Sequence, residues 1–167
     1  METLRNKVAE SGIVTLNLED YFPEEETCSF DIKEFLFMEM LLKEKEYRAS
    51  LENHDWNQYA NKHVAVFCST DAIIPMWAYM LIATRLSAVA KSVFEGTKEE
   101  LFKALFLKNI NTIDTTAFED KRVVIKGCGE KEIPAYAYTA ITNLLVPKVK
   151  SLMYGEPCST VPVYKKK

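Results

Sequence analysis

The feature that most limits what this chain can fold into is that its second half repeats its first. At a constant offset of 59 residues, 11 of the 35 positions from 62 to 96 are identical to those from 121 to 155, without a gap. Pro75 falls on Pro134, Ala78 and Tyr79 on Ala137 and Tyr138, Ile82 on Ile141, Leu86 on Leu145, Lys91–Ser92 on Lys150–Ser151, and Gly96 on Gly155. Trp77/Tyr136 and Val66/Ile125 are close substitutions. Self-similarity at a fixed period means two copies of one supersecondary unit.

Each copy reads strand–loop–helix–strand. "KHVAVFC" is apolar and β-branched with no polar alternation, the pattern of a buried parallel strand. Pro75 then opens "PMWAYMLIATRLSAVA", and proline is favoured at the first helical position. "KSVFEG" is a short strand ending at Gly96. "TKEELFKALFLKNI" predicts a linking helix over 97–110, with Thr97 as N-cap and Glu100 at the capping-box position. Such alternation predicts an α/β fold with a mostly parallel sheet built from two repeated β-α-β units, 62–96 and 121–155. A pseudo-dyad along the strands sets the two first strands side by side at the centre of one sheet. Their carboxyl ends then meet at a topological switch point, where open α/β sheets place their sites.

The flanks are less regular. "GIVTLNLEDYF" alternates enough for a strand. "DIKEFLFMEMLLKEKEYRASLEN" reads as one amphipathic helix capped by Asp31, with Glu34 completing a capping box, so that 1–60 forms an N-terminal strand and helix. Pro157 and Pro162 make 156–167 a stiff, non-regular clasp. The chain of 167 residues, 48% apolar and 27% charged, suits a single domain, 1–167, with a full core.

Charge and composition narrow the partners. A net charge of −3 argues against a nucleic-acid surface, and Lys165–Lys167 read as a solubility feature. No apolar run has the length of a membrane helix, and the polar, acidic start lacks a signal-peptide core, so the expected location is the cytoplasm. There the cysteines Cys28, Cys68, Cys128 and Cys158 should be free, catalytic or metal-bound. Composition leaves protein partners and a homo-oligomer open.

The candidate site follows from the topology. Cys68, Cys128 and Cys158 each fall just past the carboxyl end of an expected strand. "CSTDAIIP" and "CSTVP" both set Ser-Thr after the cysteine, offering donors to a thiolate. Three thiolates suit zinc or iron, with Asp71, another carboxylate or water as fourth ligand. Against this stands the absence of a CxxC pair and the habit of free cysteines to pack as small hydrophobes. Cys28, outside the repeat, is assigned to packing. His63 starts the strand that Cys68 ends, so it lies at the wrong edge, and His54 sits in the connector "NHDWNQY". Trp77, Tyr79, Tyr136 and Tyr138 stand at helical spacing as core or as a pocket wall. Asp71 and Glu130 occupy equivalent loops, as caps or as ligands. There is no GxxxxGK[ST] and no GxGxxG, so nucleotide phosphates lack their cradle.

"STDAIIPMWAYMLIA", "RVVIKGC" and "MYGEPCSTVPVYKK", with "LEDYFP" and "EKEYRASLENHDW" upstream, give the chain a family likeness along essentially its whole length. It resembles the bacterial domain-of-unknown-function family 2480. The resemblance implies no catalytic residue or activity. It implies genes that can lie near iron–sulfur cluster assembly genes, in keeping with a cysteine–metal site linked to iron–sulfur or thiol metabolism. Two other readings stand beside that one: a metal-free thiol enzyme or carrier using Cys158 or Cys68, and a structural or interaction module whose cysteines pack.

Overall fold

The structure, a computed structural model, describes residues 12–127 and 129–167. In chain order the elements are β1 (Ile13–Asn17), β2 (Thr27–Asp31), α1 (Glu44–Glu52), β3 (His63–Phe67), α2 (Met76–Leu86) and β4 (Ser92–Glu95). They continue with α3 (Lys98–Asn111), β5 (Arg122–Lys126), α4 (Ala135–Leu145), β6 (Ser151–Glu156) and β7 (Ser159–Lys165). Short 3-10 turns follow β1 and β2 and precede β3 and β5.

The fold is α/β and its strands are mostly parallel, but they form two sheets rather than one. One has the order β2-β3-β4, all parallel. The other has the order β1-β5-β6-β7, with only β7 antiparallel. The expected side-by-side placement of β3 and β5 does not occur. Each is already paired on both edges, by an N-terminal strand on one side and by the strand after its own helix on the other, so neither has an edge to offer the other. The chain divides into two compact units: an inserted unit, Glu24–Ala104, and a host unit made of the chain up to Pro23 and Leu105–Lys167.

The repeat is visible in the pairing. In the inserted unit Thr27 pairs with His63, and His63 with Ser92; in the host unit Ile13 pairs with Arg122, and Arg122 with Ser151. The similarity also runs further than 62–96 and 121–155. Asp55 and Asp114 each accept the N–H two residues on, at 3.0 Å, and start equivalent 3-10 turns. Asn61 and Asp120 both take left-handed backbone, at φ 60° and 52°. Asn61 donates its N–H to the Val89 carbonyl and Asp120 donates to Lys148, at 3.0 and 2.9 Å. α1 matches the second half of α3, and β2 matches β1 at an offset of 14 residues, with Asp31 and Asn17 capping the turns that follow.

The cores correspond side chain by side chain. Phe30, Ile32, Tyr47, Leu51, Val64, Ile82 and Leu86 are buried in the inserted unit, and Leu16, Leu18, Phe106, Ile110, Val123, Ile141 and Leu145 are buried in the host unit. Tyr47 meets the Trp77 ring edge-on at 5.9 Å, and Phe106 meets Tyr136 the same way at 6.1 Å.

Three local expectations need comment. The capping box of α3 is present: Glu100 donates its N–H to Thr97 Oγ1, and the Glu100 carboxylate accepts the Thr97 N–H, at 3.2 and 2.8 Å. The single helix expected from Asp31 to Asn53 is instead a strand end, a 3-10 turn, a loop and α1. Met38 and Glu39 take φ 51° and 60°, which no right-handed helix can contain. The expected non-regular clasp 156–167 is an edge strand, β7, closing a hairpin on β6 through the two-residue turn Pro157–Cys158. Pro162 is tolerated because it sits on the sheet's edge strand, beside a register shift. Gly155 takes φ 117°, and a Cβ there would lie 2.6 Å from the Ser159 carbonyl oxygen, so the hairpin closes only over glycine. Among the described residues no helix is long and apolar enough to cross a membrane.

The repeat supplies its own control for stability. Tyr47 is fully buried, donates its hydroxyl to the Ala78 carbonyl at 3.1 Å, and has Phe106 as its counterpart. Tyr47→Phe should cost about 1 kcal/mol, the net worth of one hydrogen bond. Tyr47→Ala should cost about 3–5 kcal/mol, the cavity left by an aromatic ring. Urea unfolding of the two variants measures both; similar costs for the two would mean that packing of the ring is not what holds α1 to α2.

Candidate functional site

The expected cysteine site divides between the units. Cys68 follows the carboxyl end of β3 in the inserted unit, half-buried against that unit's core. Cys158 is exposed at the tip of the β6–β7 turn in the host unit. Cys128 lies outside the described residues. Cys28, on β2, packs half-buried against the inserted unit's core, and burial pushes its thiol pKa up. Among the described residues, no group of three or more His, Cys, Asp or Glu side chains is placed to hold a metal. Asp71 is exposed in the loop after β3.

The carboxyl edge of the inserted sheet is nonetheless organised. Asp31, at the end of β2, accepts the N–H of Ser69 at 3.1 Å and of Lys33 at 3.0 Å. Burial pushes the Asp31 carboxyl pKa up, but the hydrogen bonds from Ser69 and Lys33 outweigh it and hold it below the usual carboxylate range. The Ser69 N–H therefore serves Asp31 rather than a thiolate. Tyr79 is half-buried nearby. Burial first, then the charges of Glu95 and Cys68, raise the pKa of its hydroxyl.

The opposite edge holds a network that sequence spacing does not reveal. His63 is buried, with Nδ1 at 2.6 Å from Ser92 Oγ and Nε2 at 2.8 Å from the Glu25 carboxylate. The other Glu25 oxygen meets the Lys91 ammonium. Two registers bring these groups together: β3–β4 sets His63 opposite Ser92, and β2–β3 sets it opposite Thr27, beside Glu25. In the host unit Arg122 stands at the position of His63, so the fold itself does not demand an imidazole there. The network ties together the amino ends of β3 and β4 and the segment that leads into β2. His54, by contrast, hydrogen-bonds the Tyr59 hydroxyl at 3.0 Å among the rings of Phe30, Phe35 and Trp56.

The most unusual surface is apolar, and it also belongs to the inserted unit. Ile73, Met76 and Met80 are 94%, 72% and 67% exposed along the start of α2. Met76 and Met80, four residues apart, share one face of α2, and Ile73 stands in the loop that leads into it. The loop before α1 exposes Met38 and Met40 at 76% and 72%, beside Leu41. That loop is held rather than slack: Phe37 and Leu41 exchange backbone hydrogen bonds at 2.8 and 3.1 Å. The Lys43 ammonium lies 3.3 Å from the centre of the Phe37 ring, and Lys33 bridges to Glu39 at 3.2 Å. α1, which the loop leads into, touches α2 through Tyr47 on Ala78 and Trp77. The sequence offered a signal for this surface in "LFMEML", whose apolar residues were absorbed into a helix face that does not form.

Comparison with known proteins gives one family. The model of a family described as a protein of unknown function, DUF2480, matches residues 2–166. No curated protein and no solved structure matches the chain.

The amino-edge network makes stability depend on pH in one direction. The hydrogen bond from Lys91, then that from His63, holds Glu25 below its usual pKa of 4.5. A carboxylate whose pKa falls on folding stabilises the folded chain above its unfolded pKa, and that contribution is lost as pH falls through the folded value. Glu25→Gln should lower Tm near neutral pH, and the difference from wild type should shrink once pH drops below 4.5. Thermal unfolding of both proteins across that range tests this; a constant difference would mean that the Glu25 charge contributes nothing.

Proposed function

The chain belongs to the DUF2480 family, and we propose that it is a binding module that docks an amphipathic helix of another protein on the apolar face of its inserted unit. One observation carries this reading. At the positions of Ile73, Met76 and Met80 the host unit has Glu132, Ala135 and Thr139. The same backbone is thus built twice, once with a polar or small surface and once with long apolar side chains in water. Neither the strand–helix pattern nor the core requires those side chains, and exposed apolar patches mark interaction sites. Methionine supports the reading further, because its flexible thioether adapts to a partner's relief. The Met76–Met80 face of α2 suits a helix laid alongside it.

Burial of each such side chain is worth about 1.5–3 kcal/mol, so removing three takes away most of the driving force. The test is a triple variant carrying the host residues, Ile73→Glu, Met76→Ala and Met80→Thr. Its Tm should stay within about 6 °C of wild type, since surface changes rarely cost more than about 0.5 kcal/mol each. A partner captured by wild type, with a helical segment cross-linked to residues 73–80, should be lost in the variant. A partner retained equally by both proteins ends the proposal. A wild-type dimer that the variant abolishes, seen by light scattering, assigns the face to a second copy instead.

The cysteines support a second reading. Cys68 lies past the carboxyl end of the central strand β3, where open α/β sheets carry their sites, with Asp71 in the same loop. Zinc or iron bound through Cys68, with Asp71 as a further ligand, would link the chain to iron–sulfur or thiol metabolism. Elemental analysis of protein purified without a metal-binding tag decides: about one metal per chain, lost in Cys68→Ser, carries this reading, and metal-free protein ends it.

A further inference from the structure

The host unit contains a cleft of about 330 Å³ between α4 and the strands β5, β6 and β7. We propose that it is a binding site for a small, neutral, planar ligand: an aromatic or heteroaromatic ring carrying one hydrogen-bonding group. This goes beyond the docking face, which lies on the other unit.

Size and lining set the ligand class. The volume lies at the small end of ligand pockets, suited to one or two fused rings. Ile125, Leu152 and Val163 give it apolar walls. Tyr138 and Tyr154 meet edge to face within it, ring centres 5.6 Å apart, an arrangement that a third ring can extend. Thr142 and Asn143 bring a hydroxyl and an amide along the flank of α4, partners for one polar group. Among the described residues that line it, none carries a charge at neutral pH. A charged ligand would be desolvated there without a counter-charge, which is costly.

The inserted unit again supplies the control, because it builds the same scaffold with different residues at the matching positions. Tyr154 corresponds to Glu95, which would bring a carboxylate to this place. Gly127 corresponds to Cys68. In the host unit a Cβ on residue 127 would lie 2.2 Å from the Tyr138 hydroxyl oxygen, so glycine makes the room in which that phenol sits. The inserted unit's sheet ends at β4, whereas the host sheet adds β7, the strand that brings Val163 to the cleft. Three separate departures from the repeat therefore converge on one cavity.

The test uses indole as probe, with indole-3-acetate and tryptamine as its charged analogues, followed by saturation-transfer NMR on the full chain. Indole should bind with a Kd of about 1 mM or tighter, and both charged analogues about tenfold more weakly. Thr142→Trp, which fills the cleft from its half-buried helix position, should weaken indole about tenfold while leaving Tm within a few degrees. Should that variant fail to fold, Val163→Trp on the exposed edge strand takes its place. Indole binding that ignores both substitutions, or no binding by indole or p-cresol up to about 5 mM, overturns the site. Equal binding of the charged analogues overturns its neutral character.

Discussion

The host unit depends on one strand pairing. β1 lies parallel to β5, Ile13 opposite Arg122, although the residues of the inserted unit come between them in the chain. Without β1, the central strand β5 has an open edge, and the host core loses Leu16 and Leu18, both buried. Such a pairing carries a large loop-closure cost before it returns any contact. That cost grows only slowly with loop length, and it is smaller still when the loop is a folded unit whose ends are already fixed. The host unit is thus complete only when the inserted unit has brought its two ends to a usable separation.

Two copies of one scaffold in one chain separate what folding requires from what it does not. Identical registers, matching buried positions and the paired 3-10 turns belong to the fold. Several of the differences fall at the surface and around the carboxyl edges: Ile73 against Glu132, Met76 against Ala135, Glu95 against Tyr154, Cys68 against Gly127. The inserted unit has spent its freedom on an apolar exterior and the host unit on an apolar cleft. One backbone has been fitted for two kinds of contact, a helix-sized face and a ring-sized hole.

The helices and central strands were legible in the sequence because their apolar residues recur at helical or continuous spacing, and because the offset from Pro75 to Pro134 is ungapped. The likeness of β1 and β2 was not. Those strands have five residues each and share their pattern, not their identities, so Asn17 and Asp31 betray their equivalence only once both are seen capping the next turn. The helix expected through Met38 failed because its apolar spacing is helical while its backbone turns left-handed at two non-glycine residues, which propensity alone does not anticipate. Pro162 suggested irregular chain, although an edge strand has room for one proline. Two sheets rather than one could not be read from element order, since both topologies alternate strands and helices in the same way. The candidate site was the least legible part. The His63 network needs the β3–β4 register, and an apolar face shows itself only by its exposure.

Synthesis on the ribosome runs from one end, and here the order of emergence opposes the order of pairing. β1 leaves the exit tunnel first, yet β5, its partner, appears only after the whole inserted unit. Every neighbour of the inserted sheet has emerged by then, so that unit can fold while the nascent chain is still growing. β1 meanwhile stays an unpaired apolar strand on a tether, an edge that other chains can capture. The architecture therefore carries a built-in waiting period, whose length is set by translation rather than by the folding rate of either unit.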